Sequence, residues 1–566
     1  MQNQSKRERL DKWLGILRGQ RATWEPEWKD ILNQMLPYRQ KWKSDTSNDG
    51  KRKNDHLYNN TPIRALDILS AGMMSGITSP SREWFKLTVS NNALYDNKNV
   101  KSYLDQCEVI IREKLAHSSW YVALANGVYP ELGSIGTSCL MMEPDPVRYL
   151  RFESVPAGEY FLDVNEFGEV DTFFRERVWS ARQVAMKFGL DVLSPTLRMA
   201  VDNGDMNQPV TIIQAIYPND EYDPKRMDAA GKKWASCWWD TNDESGKFLR
   251  ESGYEDFPVL APRWTVRPGD AYGRGPGWEI RGDCRGLQKL EKLLISLVDK
   301  TSNPPMVGHE GLKTSRASLI PGDITYVPSG ATDGFHPAIQ IPPAAIVATE
   351  QNIMRHEGRI KSAMYVDLWQ DMIQDDRAQR ATATEIAARK QEIMLQLGPI
   401  LENLNVSLLE PVINNAYAAG TRYGWLPPPP LELQGADFDV EFVSIAHQMQ
   451  KMTALSGTRT LVQETGLLAQ LDPGVMQKLN GDVIVDEIAS MVGAKPSMVR
   501  TAEEVKEIRD AQAQKQQMAE QGQAMLAATQ GVKNLGSANP QSLQDIASMI
   551  SPVAAAQGGV NQIGVS

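Results

Sequence analysis

Four aspartates, Asp367, Asp371, Asp375 and Asp376, fall within ten residues, and Arg377 and Arg380 follow them directly. A two-acid hydrolase needs such carboxylates, provided two of them stand about 5–9 Å apart in a cleft. A divalent metal held by the same groups could serve DNA cleavage. The bland alternative is a solvated loop carrying both signs of charge.

Other chemistries find less support. The sequence has no GxxxxGK[ST], so it lacks the phosphate-cradling loop and its lysine. Gly273-Arg-Gly275-Pro-Gly277 is glycine-rich, but its third glycine is misplaced for GxGxxG and Pro276 removes a backbone donor, so it reads as a turn feeding a helix. Asp240 to Gly246 resembles a calcium loop with its glycine one position late and no bidentate glutamate after it, and reads as a hairpin turn. His356-Glu357 has no second histidine at metal spacing. The six histidines are scattered, and Cys107, Cys139, Cys237 and Cys284 form no CxxC pair, which fits a reduced chain without structural zinc. No catalytic residue, metal or cofactor is assigned.

The elements that must position the aspartates are clearer. Thr382 and Glu385 form a capping box at a helix start. Ile386, Ile393, Leu397, Ile400, Leu404, Leu408 and Val412 then share one face until Gly424 and the run Pro427 to Pro430 end the pattern. Such a rod would be roughly 60 Å long. Gly398-Pro399 lies inside it and Pro411 further on, so a kink is expected near Gly398. Upstream, Asp283 to Ser302 reads as a helix with Leu287, Leu290, Leu294 and Leu297 on one side, ended by Asn303-Pro304-Pro305. Short strand-like runs follow at Met306-Val307, Ile324 to Val327 and Ala338 to Ile341, with turns at Pro321-Gly322-Asp323 and Ser329-Gly330. A second helix runs from about Ala344 to Met364, and the acidic segment joins it to the rod.

This order resembles phage portal proteins, and the wording resembles the head-to-tail connector family of short-tailed phages. The segments that carry the resemblance are Leu57-Tyr-Asn-Asn-Thr-Pro-Ile-Arg-Ala-Leu-Asp-Ile-Leu-Ser-Ala-Gly-Met-Met-Ser-Gly-Ile77, Thr78 to Leu87, Gly253-Tyr-Glu-Asp-Phe-Pro258, Arg263-Trp264, Tyr272-Gly-Arg-Gly-Pro276 and the block from Thr382 to Pro430. The fold class implied is α+β, a portal-type multidomain subunit. Its parts would be a mixed α/β wing over 1–278, a first stem helix over 279–302 and a small β-containing clip over 303–343. A second stem helix would span 344–364, a tunnel loop 365–381 and the long kinked helix 382–423. A strand returning to the wing would span 424–443, a helical crown 444–510 and a Gln/Ala-rich, partly flexible tail 511–566; whether that tail forms a barrel stays open.

The resemblance also implies partners. They are further copies of the chain in a ring, typically dodecameric, double-stranded DNA passing without sequence specificity, the terminase large subunit, tail adaptor and tail proteins, and major capsid and scaffolding proteins. The place implied is the portal vertex of the virion, assembled in the host cytoplasm, with no membrane. In that setting Asp367, Asp371, Asp375, Asp376, Arg377 and Arg380 become a channel loop, a negative ring around moving DNA. A metal-dependent DNA-processing enzyme and a channel-less minor capsid or scaffold protein remain the alternatives.

Composition agrees with several domains: 566 residues exceed a single core. No apolar run approaches a membrane span, and the N-terminus lacks a signal-peptide core. Net charge is −10, yet residues 1–60 carry thirteen Lys/Arg against eight Asp/Glu, with Lys41, Lys43, Lys51, Arg52 and Lys53 clustered as a solvated loop or a contact for nucleic acid or acidic partners. The acidic remainder argues against tight counterion-releasing DNA binding. Arg7 to Met35 and Asn97 to His117 read as helices, and Thr61-Pro62 as a helix start. Glu159–Val164 with Val170–Trp179, and Lys233–Asp240 with Lys247–Glu251, read as hairpins, and Asp437–Val443 as a returning strand. After Phe442 no aromatic residue of the Phe, Tyr or Trp type occurs.

Overall fold

The computed structural model describes residues 5–39, 41–42, 54–89, 97–145, 147–243, 245–307, 336–338, 340–373, 397–433 and 438–442, then 457, 460–467, 474, 480–481, 483–485, 488 and 505–518. The chain divides into two compact units, Met1–Gly457 and Thr458–Ser566.

The helical reading of Arg7 to Met35 is corrected: the segment is two helices, α1 (Lys6–Arg21) and α2 (Glu25–Met35). Pro26 explains the break, because its ring would clash with the carbonyl four residues back and it has no N–H to donate. Helix α1 lies on one face of a five-stranded antiparallel sheet ordered β4 (Tyr160–Val164), β5 (Val170–Ser180), β6 (Pro209–Pro218), β7 (Trp234–Asp240), β8 (Arg250–Tyr254). Leu10, Leu14 and Leu17 bury against Phe161, Phe174, Ile213 and Trp239. The Arg21 guanidinium, 3.7 Å from the Phe161 ring, donates to the Tyr160 carbonyl.

The first hairpin turns at Asn165, whose side-chain oxygen accepts the Phe167 and Glu169 amides, while Gly168 takes φ +82°. In the second hairpin the return strand starts at Arg250 and not at Lys247, because the Asp240 and Asp243 carboxylates accept the Asn242 and Ser245 amides and lengthen the turn.

The other face of the sheet carries α7 (Ala181–Phe188) and α8 (Pro195–Asp202), which follow four further helices in the chain. Those are α3 (Thr61–Gly76), α4 (Lys98–His117), α5 (Trp120–Ala123) and α6 (Tyr129–Ser134). They form the main core with strands β2 (Cys139–Asp145), β3 (Tyr149–Val155) and β9 (Val259–Leu260), which pair in the order β3-β2-β9. Strand β1 (Phe85–Val89) pairs antiparallel with β12 (Phe438–Phe442), the returning strand, from Phe85↔Phe442 to Val89↔Phe438.

Long helices α9 (Pro276–Ser302) and α10 (Pro343–Ala363) follow, then α11 (Val366–Ile373) and, after a helical turn over 397–404, α12 (Glu410–Tyr423). Two π-turns, Leu124–Val128 and Asn405–Leu409, each end two residues before a proline, Pro130 and Pro411. A proline ring crowds the carbonyl four positions back, and widening the helix by one residue moves that carbonyl away. The described irregularity of the rod therefore sits before Pro411. What precedes Leu397, and with it any bend at Gly398, lies outside the described residues. Gly424 ends α12 at φ +71°, as a left-handed cap. In the second unit, helices are described over 460–467 and 505–518.

Candidate functional site: the helix pair, its tip and the acidic segment

Helix α9 begins where glycine is obligatory. A Cβ on Gly273, Gly275 or Gly277 would stand 2.6, 2.5 and 2.2 Å from the carbonyl oxygens of Gly136, Leu132 and Ser134. The Gly-Arg-Gly-Pro-Gly run is thus a place where two backbones touch, and it anchors the root of α9 to the core. Arg281 pairs with Glu27, and Arg285 with Asp30 at 2.8 Å, fixing the same root to α2.

The Asn59-Asn60-Thr61-Pro62 signature clasps both long helices. Gln288 of α9 accepts the Tyr58 and Asn59 amides at 2.7 and 3.0 Å and donates to the Asn59 carbonyl at 2.7 Å. The Asn59 side-chain amide donates to Glu291 of α9 (2.7 Å) and Glu357 of α10 (2.8 Å), and its oxygen accepts the Thr61 amide at the head of α3. His356 Nδ1 and Arg359 both contact Asp283, at 2.8 and 3.3 Å, so His356-Glu357 serves the seam of the pair. Burial pushes the Cys284 thiol in that seam up to about 12, which makes it a core side chain and no nucleophile at neutral pH.

Beyond the clasp the two helices run out uncovered. Leu293, Ile295 and Val298 on α9, and Val347 and Met354 on α10, are 47–67% exposed. At the tip Met306↔Pro337 and Val307↔His336 pair as β10 (Met306–Val307) and β11 (His336–Pro337), so the second strand is His336–Pro337 and not the run Ala338 to Ile341. The Ala338 amide donates to the Pro305 carbonyl at 2.7 Å in the same register, and Pro342-Pro343 soon begins the next helix. The run Ile324 to Val327 lies outside the described residues.

The acidic segment needs a correction too. Its first part is helical, α11, where a loop from 365 was expected. Val366 and Trp369 are 3% exposed, and a Cβ on Gly72 of α3 would lie 2.3 Å from the Trp369 ring, so the indole lies flat on that glycine. This apolar pair one turn apart outweighs the flanking carboxylates. Tyr365, at φ +54° and 6.3 Å from the Trp264 ring, makes the corner between α10 and α11. Asp367 is exposed on α11, and Asp371 continues its backbone one turn later. Asp375, Asp376, Arg377, Arg380, Thr382 and Glu385 lie outside the described residues. Gly398 and Pro399 lie in the turn over 397–404, where a Cβ on Gly398 would meet nothing within 4 Å. Among the described residues no group of three or more His, Cys, Asp or Glu is placed to hold a metal ion, and no helix is long and apolar enough to cross a membrane. Sequence reasoning missed Gln288, Glu291 and Trp369. The doubled asparagine before Thr61-Pro62 was the available signal for the clasp.

A family model described as bacteriophage head to tail connecting protein matches residues 7–499. The chain belongs to this family. Two curated relatives span nearly its whole length. The "Portal protein" of Salmonella phage epsilon15 is 36% identical over 553 residues, covering 96% of this chain and 98% of its own. The "Probable portal protein" of Bordetella phage BPP-1 is 34% identical over 529 residues, covering 93% and 95%. A solved chain from the neck of an empty GTA particle covers 71% of this chain and 86% of its own, at 10% identity and a TM-score of 0.32, a likeness too slight to bear on the fold. The connector is therefore a portal-type structural component that joins phage head to tail, with the mixed α+β body described above.

Proposed function

We propose that the connector works as a ring-shaped portal at one capsid vertex. DNA enters through its axis during packaging and leaves through it during ejection, and the chain performs no catalysis itself. The observation that carries this reading is the α9–tip–α10 projection. Its root is fixed by the clasp and by backbone contact, yet its outer half leaves Leu293, Ile295, Val298, Val347 and Met354 exposed. Side chains of that kind, held rigidly on a projection, need a partner. A repeated heterologous contact that closes on itself gives each copy two neighbours and leaves a central hole.

In this reading the helix pair is the stem and the β10–β11 tip is the clip, the docking surface for the terminase large subunit and then for tail adaptor proteins. The segment from α11 to 381 lines the channel as the tunnel loop, the 444–510 helices form the crown, and capsid and scaffolding proteins surround the wing. Negative-stain microscopy of purified protein is the test. Rings with a central hole are expected, and changing Leu293, Ile295 and Val298 together to Ser should leave helix content intact and abolish the rings. Open filaments or monomers at every concentration, or rings unaffected by the triple change, overturn it.

A further inference from the structure

The five-stranded sheet presents one continuous cross-strand row on its α7 side: Arg175 on β5, Gln214 on β6, Trp238 on β7 and Arg250 on β8, each directly opposite the next. A cavity of about 620 Å³ opens over this row, walled by the β2–β3 hairpin and by α7. Its volume lies in the range of small-molecule sites.

At its floor Gln214 is 1% exposed, and neither its Oε1 nor its Nε2 has a hydrogen-bond partner. A buried primary amide left with both a donor and an acceptor unused is costly, and it marks a position where something else supplies the partners. The charges around it are unbalanced as well. Arg175 is answered by Glu153 and Glu159, each at 2.8 Å, and Arg177 by Glu153. These two guanidinium groups outweigh burial and hold the Glu153 carboxyl down at about 2, so that anion is fully committed. Arg151, Lys187 and Arg250 also line the cavity, with Glu143 as the other lining carboxylate, and among the described residues none of the three makes an ion pair within 4 Å. Lys187 instead rests its ammonium 4.0 Å from the Trp238 ring and 4.9 Å from Trp179, whose rings stack 5.8 Å apart. Burial, helped by Arg177 and Arg151, lowers the pKa of that ammonium against the pull of Glu143 and Glu153.

The geometry points to a binding site for a phosphate-bearing small molecule of nucleotide size. Arg151, Lys187 and Arg250 would take the phosphate, and the Gln214 amide would take a ring edge that offers both a donor and an acceptor. Guanidinium groups suit phosphate oxygens, several of which can be met at once. An amide pairs in two bonds with the edge of adenine. A duplex is too broad to bring a base edge to a glutamine that is 1% exposed at the floor of the cavity, which favours a free mononucleotide over DNA. This site is independent of the channel reading.

The experiment is equilibrium dialysis of the full chain with labelled dAMP, with inorganic phosphate and duplex DNA as competitors. One dAMP per chain is expected, with weak competition by phosphate. Lys187→Gln with Arg250→Gln should weaken binding about tenfold or more, with the circular dichroism spectrum unchanged, because among the described residues neither side chain makes an ion pair within 4 Å. Gln214→Leu, where it folds, should keep phosphate binding and lose the preference for dAMP over phosphate. The inference is overturned by no dAMP binding at millimolar concentration, by a double variant that binds like wild type, by phosphate alone binding, or by duplex DNA displacing dAMP as well as unlabelled dAMP does.

Discussion

Glu108 of α4 accepts the Leu87 amide of β1 at 2.7 Å, and burial pushes its carboxyl up to about 7 against the pull of that hydrogen bond and of Lys86 and Arg112, with Asp105 adding to the rise. A carboxyl with a raised folded-state pKa keeps a proton that the unfolded chain releases. Its share of stability is therefore intact below the ordinary glutamate value of about 4.3 and falls as pH rises toward 7. Gln keeps the acceptor and removes the charge. Glu108→Gln should thus exceed wild type at pH 8 by on the order of 1–3 kcal/mol and match it near pH 4.5, measured by urea unfolding at both values. Glu131, buried and likewise raised to about 7 despite Arg39, leaves a residual slope in the variant. An equal deficit at both pH values would show that the carboxylate is not the source. A second test at this scale uses the Gly72–Trp369 contact. Gly72→Ala places a methyl inside the indole's space and should cost about 1–3 kcal/mol. In a Trp369→Leu background the same change should cost far less, and strict additivity in the double-mutant cycle would mean that the two residues do not touch.

Among the elements, the tip between α9 and α10 offers the most direct test. Its described strands are two residues long each, and it springs from the uncovered ends of α9 and α10. Replacing 306–340 with a short Gly/Ser linker should leave the wing's unfolding transition unchanged and abolish terminase capture in a pull-down; undiminished capture moves the docking surface elsewhere. What the sequence made legible follows from how long a pattern runs. Val100, Leu104, Cys107, Ile111 and Leu115 repeat over about four turns and are buried in α4, and Leu404, Leu408 and Val412 are buried along the rod. Short patterns carry less weight: Val366 and Trp369 are one pair among carboxylates, so a segment that reads as loop is the helix α11. Pro26 leaves no mark on the pattern, since the apolar spacing continues on both sides of it. The row Arg175, Gln214, Trp238, Arg250 was invisible for a stronger reason, since four strands contribute one residue each and only their register aligns them. The glycines of Tyr272 to Gly277 were recognised as a turn, but their contact with the backbone of Leu132, Ser134 and Gly136 is a tertiary fact with no local signature.

At the scale of the whole molecule the open matter is what the acidic segment does once copies surround an axis. Asp367 is exposed on a helix that Trp369 pins to the core. Carboxylates repeated around a closed ring would sum to a band of negative potential, sharpened by the low-dielectric wall behind it. Phosphates would then be held off the wall and DNA would slide more readily than it sticks, while Arg377 and Arg380 would make brief phosphate contacts or pair with a neighbour's aspartates. Changing Asp371, Asp375 and Asp376 together to Asn keeps side-chain size and removes three charges per copy. Folding and ring formation should survive, since Asp367 and the Val366–Trp369 anchor are untouched. The mutant ring should bind DNA more tightly, with a steeper loss of affinity as salt rises, and packaging or genome retention should change with it. Packaging, retention and DNA binding all equal to wild type would place these residues away from the channel. Metal-dependent DNA cleavage by the wild-type protein, lost in the triple mutant, would replace the channel role with a nuclease. The distinction is sharp because sliding requires that the aspartates hold no metal, whereas cleavage requires that they do.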